Sequence, residues 1–217
     1  ATMVAKLSVV ATPIGNLEDV TLRALRIFRE ADVVVCEDTR MTKKLLSHFD
    51  IHTRLFSLEH IPRLLREQKH IALVSDAGTP GVSDPGLEIV SHARDAGVSI
   101  ETIPGASALP AALAIAGLRA PSFTFYGFLP LKKGREKLLS EIVASERASI
   151  FYESPHRIMK TLESLRTLPK ERRIGVFREL TKIHEEAVVG SIDKVIQHFT
   201  DDPQKQRGEF VVIVESE

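Results

Sequence analysis

Cysteine is nearly absent from this chain: Cys36 is the only one in 217 residues, so no internal disulfide can form. A reducing cytoplasm is the simplest home for such a protein. No apolar run approaches the ~20 residues that a bilayer crossing requires, and no signal peptide is evident. Net charge is missing too, because 29 basic residues balance 29 acidic ones. That argues against a protein gripping bare nucleic acid by bulk charge, while a local basic patch could still meet a structured RNA. The eight histidines have no ligand-like spacing, so no metal site is expected. A Walker phosphate loop is absent as well.

The chain does have a core, with 43% hydrophobic residues, and alternating strand and helix patterns. Residues 7–11, 33–36, 71–74 and 98–103 read as four apolar strands of a sheet buried on both faces. Between them lie helical patterns at 20–30, with Asp19 as N-cap, and at 39–49, 87–96 and 108–116. Residues 118–122 carry Pro121 and no periodicity, so the domain boundary is placed there, giving domains 1–120 and 121–217. The second half offers strands at 123–125, 150–152, 174–177 and 210–214, with helices at 134–144, 155–165 and 192–199. An added strand within 181–190 has no helix before it, which implies a mixed sheet.

Four strand ends in the first half carry unusual loops: Thr12–Asn16, Glu37–Arg40, Ser75–Gly86 and Pro104–Ala108. Parallel strands would bring all four to one sheet edge, where open α/β folds bind ligands. The Ser75 loop is the most telling, with three glycines, two prolines and two aspartates in twelve residues. Asp76 and Asp84 could simply cap turns, but Gly78, Thr79, Pro80 and Gly81 make a stiff shelf suited to a flat ligand. Thr12–Asn16 invites a dinucleotide-fold reading, with an acidic pair about 22 positions past Gly15. Only one of the three fingerprint glycines is present, and Pro13 interrupts the phosphate turn, so a nicotinamide cofactor is disfavoured. Pro104-Gly105 reads as a helix entry or as room for an adenine-sized group beside Ala111, Ala112, Ala114 and Ala116.

In the second half, Phe151 to Arg157 joins a strand end to a helix start, with Ser154 as N-cap and Pro155 first in the helix. Tyr152, Glu153 and His156 beside it are candidates to face a cleft. Arg178-Glu179-Leu180-Thr181-Lys182 places two cations and a carboxylate at a strand end, with an inter-strand salt bridge as the bland alternative. Lys132, Lys133, Arg135 and Lys137 follow Gly127-Phe128-Leu129-Pro130 as a basic loop with an aromatic neighbour. Such a cluster is a solvated face or an RNA contact.

Taken together, Thr12-Pro13-Ile14-Gly15-Asn16-Leu17, Glu37-Asp38-Thr39-Arg40, Ser75 to Pro80, Phe151 to Arg157 and Arg178 to Lys182 resemble the ribosomal RNA small-subunit methyltransferase I family of the tetrapyrrole-methylase-like superfamily. The resemblance implies two α/β domains, a mostly parallel N-terminal sheet and a mixed C-terminal one, with S-adenosylmethionine in the cleft between them. It also implies a homodimer and 2′-O-methylation of a cytidine ribose in the decoding region of small-subunit RNA, with the assembled subunit as partner. By position, Pro13, Asp76, Ala77, Gly78, Pro80, Pro104, Ser107, Ala108 and Tyr152 match the superfamily's cofactor site. Glu153 or Glu179 is the expected base, and Arg178 or Lys182 the expected supplier of positive charge. The connections at 58–63 and 130–134 are shorter than relatives of this kind carry. The rivals are a methylase of a tetrapyrrole or other small metabolite, and a non-catalytic RNA-binding module.

Overall fold

In the computed structural model, residues 5–67, 69–167 and 172–217 are described. They form two compact units, divided in sequence between Ser107 and Ala108. Among these residues no helix is long and apolar enough to cross a membrane.

The first unit is built on five strands in the order β3-β2-β4-β1-β5. They are β1 (Lys6–Val10), β2 (Val33–Cys36), β3 (Arg54–Ser57), β4 (His70–Leu73) and β5 (Ser99–Ile103), and every pairing is parallel. Helices α1 (Leu22–Glu30) and α2 (Thr39–His48) cover one face, packing Ala24, Ile27, Phe28, Leu45 and Leu46 onto Val10, Val34, Ala72 and Ile103. Helices α3 (Ile61–Arg66) and α4 (Gly86–Asp95) cover the other with Ile61, Leu64 and Ala93. Burial on both faces is why β2 reads Val-Val-Val-Cys with no polar alternation.

Two expectations need correction here. The sheet has a fifth strand, β3, whose exposed Arg54 and half-buried neighbours give an edge strand too short for a strong pattern. The cap of α1 is Thr21, whose hydroxyl accepts from the Ala24 amide at 3.0 Å; Asp19 lies in a preceding single turn. The connection at 58–63, expected to be short, is a single turn, Leu58–His60, running into the start of α3.

The second unit holds α5 (Ala108–Ala116) and a five-stranded mixed sheet in the order β6-β7-β10-β8-β9. Its strands are β6 (Phe123–Phe128), β7 (Ala148–Glu153), β8 (Ile174–Arg178), β9 (Glu186–Gly190) and β10 (Phe210–Val214). Only β6 and β7 are parallel; β10 runs antiparallel to both its neighbours, and β9 to β8. Helices α6 (Arg135–Ala144), α7 (Ile158–Arg166) and α8 (Ile192–Asp201) bury Ile142, Leu162, Leu165, Val195 and Phe199 against Phe151, Val176, Phe210 and Val212. Helix α5, placed in the first domain on sequence grounds, packs on β9 and β10 and so groups with the second unit.

The start of α7 also differs from expectation. Residues 154–157 form a turn in which the Arg157 and Ile158 amides both donate to the Ser154 carbonyl, and the helix begins at Ile158. The Ser154 hydroxyl accepts from Arg157 Nε at 3.2 Å instead of capping the helix.

Candidate active site

The four loops of the first unit share one sheet edge and are tied to one another there. Thr12 and Gly78 exchange two backbone hydrogen bonds, at 2.9 and 3.0 Å, which joins the loops after β1 and β4. The Asp38 amide donates to Asp76 Oδ1 at 2.9 Å, which joins the loops after β2 and β4. Thr79 Oγ1 donates to the Ala106 carbonyl at 3.0 Å, which brings in the loop after β5. Gly78 sits at φ +79, and a Cβ there would lie 3.2 Å from Ile14 Cγ2. Glycine is needed at that position for both its backbone angle and the close approach. Asp84, by contrast, serves its own turn, accepting from the Gly81 and Gly86 amides at 2.8 and 2.7 Å.

This edge presents an exposed Asp76 and Ala77, an exposed Pro104, and half-buried Pro13, Ser107 and Ala108, while Pro80 is buried behind them. One atom stands out. Thr12 is 4% exposed, and its hydroxyl has no hydrogen-bond partner. Buried hydroxyls are normally satisfied, and among the described residues this one has no partner. Asp38 caps α2 and is held down to about pKa 2, first by the Arg40 guanidinium and then by the Arg40 amide. It stays ionised beside the site at any ordinary pH.

The second unit lines up its own edge. Glu153 on β7, Phe210 on β10, Arg178 on β8 and Glu186 on β9 are successive partners in register. Glu153 is enclosed, with a side chain 0% exposed. Its carboxylate accepts from Thr161 Oγ1 at 2.6 Å, the Ser154 amide at 2.8 Å and Arg135 Nη2 at 3.3 Å, and it pairs with the Arg157 guanidinium, whose Nε lies 3.0 Å away. Arg135, counted with the surface lysines in the sequence, is therefore a buried ion-pair partner. The same guanidiniums reach onward: Arg135 Nη1 donates to the Pro130 carbonyl at 3.1 Å and Arg157 Nη1 to the Leu129 carbonyl at 3.0 Å. One buried carboxylate thus anchors the loop that follows β6.

Across the sheet, Arg178 Nε donates to the Arg207 carbonyl at 2.7 Å, and Nη1 lies 3.5 Å from Glu186. The inter-strand salt bridge is real, and Arg178 is a strut. Glu179 and Thr181 hold left-handed backbones, at φ +51 and +68, in the turn between β8 and β9. Non-glycine residues carry strain in that region, and such strain gathers at functional sites. Glu179 Oε1 accepts from the Glu209 amide at 2.9 Å and from Lys182 Nζ at 3.0 Å. Burial works against the Glu179 charge, but the Glu209 amide and the ammonium outweigh it and hold the carboxyl below its ordinary value. Lys182 is held above its ordinary value by Glu209 and Glu179, likewise against burial. His156 is exposed and Tyr152 half-buried.

Sequence reasoning missed the orphan hydroxyl of Thr12, although its place directly after a strand was a signal. Thr161 gave none, since a threonine eight positions beyond Glu153 looks like any helix residue.

The profile of the tetrapyrrole (corrin/porphyrin) methylases matches residues 6–196. A protein of Halalkalibacterium halodurans called ribosomal RNA small subunit methyltransferase I is 47% identical, over 96% of this chain and 75% of its own. The protein of the same description from Thermotoga maritima is 40% identical, over 96% of this chain and 97% of its own. Among solved structures, a cobalt precorrin-4 methyltransferase of cobalamin biosynthesis superimposes with a TM-score of 0.70 over 97% of this chain and 94% of its own. At 16% identity, that likeness speaks to fold alone.

Proposed function

Because this chain belongs to the tetrapyrrole methylase family, and within it to the ribosomal RNA small subunit methyltransferase I group, we propose that it transfers a methyl group from S-adenosylmethionine to the 2′-hydroxyl of a cytidine in the decoding region of small-subunit ribosomal RNA. The assembled subunit is the substrate, and the enzyme works as a cytoplasmic homodimer. One observation supports the cofactor assignment: hydrogen bonds tie the four loops after β1, β2, β4 and β5 into one edge, in which the Thr12 hydroxyl has no partner among the described residues.

The residues present fit that cofactor. Asp76, Ala77, Gly78 and Pro80 are the candidate shelf, with Pro13, Pro104, Ser107 and Ala108 beside it, and Tyr152 is a further candidate for cofactor contact. When bound, the cofactor supplies an electrophilic methyl group on a sulfonium. The protein's part is alignment, and well-oriented reactants can gain on the order of 7–11 kcal/mol. Of the two candidate bases, Glu179 is the better, because the Glu153 carboxylate is enclosed and fully engaged. Glu179 stays ionised and accepts the ribose hydroxyl, while Lys182 offers charge to the developing alkoxide. Glu153 and Arg178 are positioning residues that hold the surrounding loops.

The test supplies labelled S-adenosylmethionine and small ribosomal subunits from cells lacking this modification. Nucleoside analysis should recover the label as 2′-O-methylcytidine, and Glu179→Gln should lower transfer roughly 100-fold while cofactor affinity holds. Label on a tetrapyrrole precursor in place of RNA would move the assignment to a small-molecule methylase. Cofactor binding without any transfer would leave an RNA-binding module.

A further inference from the structure

The edge strand of the second sheet carries an irregularity. Along β6, Phe123, Thr124 and Phe125 pair with Ala148, Ser149 and Ile150, but the next pair is Phe128 with Tyr152. Strand β6 therefore advances three residues while β7 advances two, and Gly127 takes up the difference at φ +61. This is a β-bulge, a device that re-aims side chains and is enriched at sheet edges and beside active sites. In a regular strand Phe128 would share a face with Thr124 and Tyr126. The extra residue returns it to the face of Phe125 and Tyr152.

The three rings form a row there. Phe125 and Tyr152 meet at 5.0 Å between centroids, and Tyr152 and Phe128 at 5.5 Å, both edge to face. The end ring, Phe128, is 55% exposed. An exposed phenylalanine alone is ordinary, but one set in place by a bulge and backed by a tyrosine is a built surface.

The following loop adds charge. Leu131 is 76% exposed, and Lys132 and Lys133 are exposed with no ion pair among the described residues, unlike Lys137 with Glu141. From Phe128 to Arg135 there is no acidic residue, although the chain as a whole is neutral. The root of the loop is fixed, because Arg135 and Arg157 hold the Pro130 and Leu129 carbonyls and are themselves held by Glu153.

We propose that Phe128, backed by Tyr152, stacks on a base of single-stranded RNA whose phosphates meet Lys132 and Lys133. This inference rests on the RNA methylation proposed above and gives it a binding surface. Stacking on an aromatic ring with cations beside it is how proteins hold unpaired nucleotides. An apolar partner would instead desolvate two unpaired ammonium groups.

The test measures the affinity of the full chain for a fluorescein-labelled single-stranded oligoribonucleotide of mixed sequence, over a range of salt. Alongside it run methyl transfer to small ribosomal subunits, cofactor binding and sedimentation. Phe128→Ala should weaken RNA binding about tenfold with an unchanged salt slope, and Phe128→Trp should retain it. Replacing Lys132 and Lys133 with glutamine should flatten the salt slope by ~1.4, at about 0.7 per phosphate. In each weakened variant, KM for subunits should rise while kcat and cofactor affinity hold. Wild-type RNA affinity and transfer in these variants would overturn the platform and leave the methyltransferase standing. A change in sedimenting mass at unaltered RNA affinity would reassign the patch to contact between copies. A native protein that neither binds RNA nor methylates subunits would remove both the platform and the function beneath it.

Discussion

The two units fix their working edges by opposite means. In the first, main chain takes part in every tie: Thr12 pairs with Gly78 through backbone alone, and the remaining ties run from a backbone amide to Asp76 and from Thr79 to a carbonyl. In the second, buried charge holds the loops, with Glu153 gripping Arg135 and Arg157, and Arg178 bridging to Glu186. A backbone-laced edge tolerates change in most side chains but not in its glycines. A charge-laced edge depends on complete pairs, since a lone buried charge costs far more than its pair contributes.

The largest effect should come from splitting that buried cluster. Glu153→Ala leaves two guanidiniums unpaired and should destabilise the protein by about 3–5 kcal/mol, measured by urea denaturation. A loss below about 1 kcal/mol would mean that the second edge does not depend on its ions. Next comes Gly78→Val in the first unit, which forces a β-branched residue to φ +79 and its side chain toward Ile14. A left-handed backbone costs roughly 1–2 kcal/mol, and cofactor affinity measured by calorimetry should fall with it. Normal binding by this variant would show that the shelf gives way.

A subtler contrast lies in Thr12→Val. Its hydroxyl has no partner in the free protein, so the melting temperature should hold or rise, while cofactor affinity should drop about three- to tenfold for one lost hydrogen bond. Equal losses in both would make the hydroxyl structural. The smallest effect separates the units by pH. Burial, helped by Lys6, depresses the His70 pKa against the opposing pull of Glu101, Asp32 and Glu30. The unfolded state therefore takes up that proton first, and stability falls as pH drops below about 6.5 until the folded imidazole also titrates. Glu179 in the second unit is depressed as a carboxylate, so its contribution is lost only below about pH 4.5. His70→Gln should remove the first of these declines from the denaturation profile and leave the second.

The same contrast explains what could be read in advance. The loops of the first edge are written in glycine, proline and aspartate, residues whose conformational demands are local, so their meaning survives in a string such as Ser75 to Gly86. Parallel pairing then required only the alternation of strands and helices. Arg135, Thr161 and Arg157 converge on Glu153 from two helices and a turn, and no local rule couples residues that far apart. Hence Arg135 read as one more surface cation, and Ser154-Pro155 read as a helix cap when it is a turn. Edge strand β3 escaped because partial burial erases periodicity, and the β6 bulge because Gly127 reads equally well as the end of a strand.

Strand β10 has a consequence for how the polypeptide is made. Among the described residues it is the last of ten strands in chain order, yet it lies in the middle of its sheet, between β7 and β8, which do not pair with each other. The first sheet has all its strands once Ile103 is made, so it can close while the chain is still growing. The second must wait as two separate pieces, β6 with β7 and β8 with β9, their inner edges open. Until β10 is made and slides between them, those open edges are the stretches most in need of a chaperone.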